Sequence, residues 1–93
     1  MIVGVLTVDL AIFDAQSLKD KRRVLSSLKQ RMQNRFNVSV AEVDFADMPK
    51  RCRLGVAMVS TESRALHSQL DKLVDCVRQA RGLSLVTYTR EIF

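Results

Sequence analysis

Apolar residues alternate along Ile2 to Leu10, with Ile2, Leu6, Val8 and Leu10 at one parity and Val3, Val5, Thr7 and Asp9 at the other. That period-two pattern describes a strand with one greasy face and one mixed face. Ala11 to Gln16 connects it to Ser17, whose hydroxyl suits an N-cap, and Asp20 three residues on completes a capping-box spacing, so a helix starts there. Leu18, Leu25, Leu28, Met32 and Phe36 then recur at three, four or seven residues and form a single apolar stripe. Asn37, whose short amide tolerates positive φ, reads as the left-handed terminator, and Val38 to Phe45 as the second strand.

Asp47, Pro49 and Lys50 give Ala46 to Cys52 the chemistry of a hairpin-like turn. Arg53 to Val59 reads as strand three, with Leu54, Val56 and Met58 facing one way and Gly55, Ala57 and Val59 the other. Ser60 and Thr61 offer caps for a second helix with Leu66, Leu70, Leu73, Val77 and Ala80 on its stripe, Arg78 and Arg81 at its negative end and Gly82 as its stop. Leu83 to Ile92, rich in β-branched and aromatic residues, is the last strand. The order βαββαβ predicts an α+β, ferredoxin-like fold: a four-stranded antiparallel sheet with two helices on one face. On this register the open face carries Val3, Val5, Thr7, Asp9, Val38, Val40, Glu42, Asp44, Ala57 and Val59.

A chain of 93 residues, 47% hydrophobic and 27% charged with one Pro and three Gly, predicts a single globular domain spanning 1–93. The opening residues lack a basic leader and no apolar run approaches the roughly 20 residues of a bilayer span, so the expectation is a soluble, cytoplasmic protein with no membrane partner. Cys52 and Cys76 lack C-x-x-C spacing and read as reduced packing or surface residues, and no metal or cofactor is expected.

Charge changes the picture more than composition does. Lys19, Lys21, Arg22, Arg23, Lys29, Arg31 and Arg35 face the single acid Asp20, a local charge of +6 in a chain whose net charge is +5. The basicity is therefore concentrated on the first helix, which points to a polyanionic partner; the plainer reading is a solvated face that maintains solubility. Lys19, Lys21, Arg22, Arg23 and Lys29 are the candidate nucleic-acid-binding residues. Lys21 lies nearer the apolar stripe, where its stem packs while its amine reaches outward.

Other constellations are weaker. An RNA-recognition-motif surface would need stacking aromatics on the central strands, and strands one and three have none. Small and β-branched residues on the open sheet face predict instead a homo-oligomer or a protein contact through that face. His67 has no nucleophile placed beside it by a recognised motif, so no catalytic residue is assigned. Glu42 and Asp44, two apart on one strand face, have the spacing to hold a divalent ion or share a proton, but an acidic strand edge is the commoner explanation. The loop after strand one has neither the glycine-rich arginine loop of an acylphosphatase nor the paired cysteines of a copper chaperone.

The run Ser17-Leu18-Lys19-Asp20-Lys21-Arg22-Arg23, the stretch from Asn34-Arg35-Phe36-Asn37-Val38 to Asp44, and Leu54-Gly55-Val56-Ala57 together resemble the YlxP-like family of small bacterial proteins of unknown function. The resemblance spans essentially the whole chain. It implies a ferredoxin-like fold and a bacterial cytoplasmic setting. Genes of this family often neighbour translation and ribosome-maturation factors, which implies ribosomal RNA or a ribosomal particle as partner and a non-enzymatic accessory role. No catalytic residues accompany the resemblance.

Overall fold

Strand β1 (Ile2–Ala11) buries Gly4, Leu6, Val8 and Leu10 and leaves the intervening residues half exposed, as its alternation requires. The computed structural model describes all 93 residues. After β1 come α1 (Leu18–Arg35), β2 (Ser39–Asp44), β3 (Arg51–Ser60), α2 (Ser63–Arg78) and β4 (Ser84–Ile92). The strands lie in the order β2-β3-β1-β4, every neighbouring pair antiparallel. This is the expected ferredoxin-like arrangement. Leu25, Leu28 and Met32 of α1 and Leu66, Leu70, Leu73 and Val77 of α2 join the buried residues of β1 and β3 in one core, so both helices cover the same sheet face. At the centre α2 approaches so closely that a Cβ on Gly4 would stand 2.9 Å from the Leu66 side chain.

The ends of the helices differ in detail from the sequence expectation. Ser17 Oγ accepts from the Asp20 amide at 3.2 Å, but the Asp20 carboxylate reaches back one residue further than a capping box, accepting from the Gln16 amide at 2.9 Å. Phe36, extended at φ −134°, ends α1 and buries its ring, so no left-handed residue is needed and Asn37 does not supply one. Glu62 caps α2 without a side-chain bond; Ser60 Oγ instead accepts from the Glu62 amide. Gly82, at φ +81°, makes the turn into β4, past the helix end at Arg78.

Strand β2 corrects the expected open face. Val40 pairs with Val56 and Glu42 with Leu54, both partners being buried under the helices, so Val40 and Glu42 share that side, and Val38 packs against the core with Val40. A register shift between Glu42 and Asp44 then adds one residue opposite Arg53. The extra residue turns Asp44 to the open side although it has the parity of Glu42. Val38, Val40 and Glu42 therefore leave the open face, and Ser39, Ala41 and Val43 take their places, the last with its side chain against Gly55.

The same rearrangement creates the most unusual contact in the protein. Lys21 is 2% exposed, and its ammonium donates to the carbonyls of Phe45 at 2.7 Å and Met48 at 2.9 Å while pairing with the Glu42 carboxylate at 2.7 Å. Two of the ammonium's three donors are thus taken by main-chain carbonyls, while the Glu42 carboxylate supplies the opposite charge without hydrogen-bond alignment. Its amine does not reach outward as expected: on the helical projection Lys21 precedes Leu25 by four and Leu28 by seven residues, the middle of the apolar stripe. The β2–β3 turn closes around it, with Phe45 at φ +64° and the Met48 amide donating to the Phe45 carbonyl at 3.0 Å.

Removing one partner of such a pair leaves an uncompensated buried charge. Lys21→Met is expected to lower stability by about 3–5 kcal/mol in urea unfolding, whereas Lys19→Met on the outer face stays within about 0.5 kcal/mol of the parent. Equal midpoints for the two variants would rule out the anchoring role.

Candidate nucleic-acid interface

Burial of Leu25, Leu28 and Met32 fixes the roll of α1, and the opposite sector faces outward. Lys19, Arg22, Arg23 and Arg31 are exposed there, and Lys29 is half exposed on the flank toward β2. Four of the five candidate cations therefore share one surface. Lys21 is the exception, because the fold itself takes up its charge.

The remaining cations of α1 have no acidic partner. Ion pairs join Lys21 to Glu42, Arg53 to Asp9 and Asp44, and Arg90 to Asp71; none includes Lys19, Arg22, Arg23, Lys29, Arg31 or Arg35. Arg35 instead lies over the Phe36 ring at 5.4 Å. The single acid of the helix, Asp20, is held in the N-terminal cap. In the middle of the exposed sector a shallow depression lined by Lys19, Arg22, Arg23, Ser26, Gln30 and Arg31 has no hydrophobic lining. A second runs beside it along the β2 flank, past Lys29 and Gln33 to Glu42. Arg31, Ser26 and Gln30 were not among the residues singled out from the sequence. Their signal was present in the spacing, since Lys19, Ser26 and Gln30 are seven and four residues apart on one helical sector.

Elsewhere the chain neutralises or disperses its charge. Arg53 pairs with Asp9 at 2.6 Å on the open sheet face, and this hydrogen bond holds the Asp9 carboxyl below its usual range. Its other nitrogen reaches Asp44 at 3.2 Å. Arg51 and Arg53 also lie over the Phe45 ring, at 3.9 and 5.0 Å. The β2 bulge separates Glu42 and Asp44 onto opposite faces, so the pair does not converge on one ion or proton. His67 is exposed, with Nδ1 3.2 Å from Arg90, whose guanidinium also binds Asp71 at 2.6 Å. Both cysteines are free and buried. Burial, reinforced by the hydrogen bond to Glu42, pushes the Cys52 thiol up to about 12, so it remains protonated and unreactive near neutral pH. No helix is long and apolar enough to cross a membrane.

Comparison with known proteins adds a family but not an activity. A family model described as "Protein of unknown function (DUF503)" matches residues 3–90. The uncharacterized protein YlxP of Bacillus subtilis (strain 168) is 36% identical over 72 residues, which cover 77% of this chain and 78% of that one. A de novo designed protein with a ferredoxin fold superimposes with a TM-score of 0.46 and 13% identity, over 99% of this chain and 85% of its own.

Proposed function

The chain belongs to the DUF503 family of proteins of unknown function, and on that premise we propose that it is a non-enzymatic RNA-associated accessory protein, acting on ribosomal RNA or a ribosomal particle, that grips phosphates with the exposed face of α1. The supporting observation is that six cations lie on one helix without an acidic partner, and the single acid of that helix is held in its N-terminal cap. A helix selected only for stability would interleave acids four residues from its bases, because like charges at that spacing repel and opposite charges attract. The uncompensated face is better explained by a partner that supplies the negative charge. Lys19, Arg22, Arg23 and Lys29 have the reach to contact phosphates without disturbing the buried stripe. The groups that otherwise invite a catalytic reading are engaged: Glu42 with Lys21 and His67 beside Arg90.

A second reading rests on a different surface. Val59 is 57% exposed and Phe93 69%, both paired with Val3 on the open sheet face near Val5 and Ala57, and Val43, also 57% exposed, lies further along that face against Gly55. Asp9, Asp44 and Arg53 form ion pairs on that face, so two copies meet there without the repulsion that opposed α1 faces would suffer. That surface suits a symmetric homodimer, which leaves both basic helices outward.

Co-sedimentation with ribosomal particles over a salt series tests the first reading. If about four phosphates are contacted, log affinity falls against log salt with a slope of about −3. Reversing Lys19, Arg22, Arg23 and Lys29 to Glu is expected to abolish co-sedimentation, and unchanged binding with an unchanged slope would eliminate the helix-one clamp. For the homodimer, light scattering is expected to give twice the monomer mass for the parent and the monomer mass for Val5→Lys. A parent that stays monomeric at high concentration ends that reading.

A further inference from the structure

The exposed face of α1 is organised, not merely positive. Arg22 and Lys29, seven residues apart, form a cationic rail on the side toward β2. Arg23 and Arg31, eight apart, form a second rail on the far side. Each rail extends about 10–12 Å along the axis. Between them lie Ser26 and Gln30, four apart, which border both depressions. Ser26 and Gln30 thus place hydroxyl and amide groups, with Lys19 at the N-terminal end of the same strip, where two lines of phosphate would leave sugars exposed.

We infer that this face recognises double-helical RNA, its rails contacting phosphates on either side of the minor groove and Ser26 and Gln30 bonding the 2′-hydroxyls between them. The inference rests on the phosphate-binding reading of α1 and specifies the form of its partner. The A-form minor groove is wide and shallow and displays 2′-hydroxyls, which a helix meeting it broadside can reach. The B-DNA minor groove, about 6 Å wide, is narrower than a helix of about 10–12 Å. Its major groove admits an α-helix but offers no 2′-hydroxyl for Ser26 and Gln30 to bond. Unpaired bases find little to stack on, because α1, β1 and β3 contain no aromatic residue.

Fluorescence anisotropy over a common salt series, using an RNA duplex of about 16 base pairs, an unstructured single-stranded RNA of the same length and a DNA duplex of the same sequence, tests this directly. The RNA duplex is expected to bind about tenfold tighter than the DNA duplex, the effect of two hydrogen bonds to hydroxyls that DNA lacks, and tighter than the single strand, whose hydroxyls and phosphates are not held in the geometry of a groove. The double variant Ser26→Ala and Gln30→Ala is expected to lose the preference for RNA over DNA duplex while keeping the salt slope. Equal binding of duplex DNA, or a preference that survives the double substitution, overturns the 2′-hydroxyl assignment. Single-stranded RNA bound as tightly as the duplex, with a slope near −3, removes the duplex inference and leaves the phosphate reading standing. No binding to any of the three removes both.

Discussion

Lys21 sits in the middle of the apolar stripe of α1, and a charge in that place survives only because the β2–β3 turn is built around it. Its ammonium meets one carboxylate and two main-chain carbonyls, all within 2.9 Å. The nearby Glu42 carboxylate, together with burial, also holds the Cys52 thiol in its protonated form. Helix, edge strand and turn are thereby tied at one point, and α1 cannot roll about its axis without leaving a buried charge unpaired. The direction in which every other side chain of α1 points follows from that constraint, together with burial of Leu25, Leu28 and Met32.

The consequence is a division of labour among the basic residues. The fold draws one cation of α1 inward and pairs it, and on the sheet and α2 it pairs Arg53 with two acids and Arg90 with Asp71. The six remaining cations of α1 are left to solvent, held on a rigid 18-residue helix backed by the core. Such a surface carries a repulsive cost within the free protein and is relieved by a polyanion, which makes it a source of affinity and of rapid association. The open sheet face differs in character: Arg53 is paired there with Asp9 and Asp44, and Val3, Val5, Ala57 and Val59 are apolar, a surface better suited to another protein surface than to phosphate.

Much of this was legible in the sequence. The alternation of β1 and β3, the stripe of each helix and the Ser17 cap all carried local signals that tertiary structure had no reason to override. What escaped was non-local. Val38, Val40 and Glu42 were placed on the open face because strand parity was carried through β2 as though it were regular, and the extra residue opposite Arg53 leaves no mark in composition. Phe45 at φ +64° was equally hidden, since a bulky aromatic gives no hint of a left-handed turn. Lys21 was a different kind of error. Its wheel position between Leu25 and Leu28 pointed inward, but a long amphipathic side chain was expected to escape to water, and the carboxylate that retains it comes from a strand whose register had been misread.

On the proposed reading the anchored helix presents its unpaired cations to RNA, and amide chemical-shift mapping of the isotopically labelled protein titrated with an RNA fragment is the decisive measurement. Shifts are expected to concentrate at Lys19, Arg22, Arg23, Ser26, Gln30 and Arg31, with little change at Phe45 and Met48 around the buried ammonium. Shifts centred on Val5, Ala57 and Val59, with α1 unaffected, would contradict it.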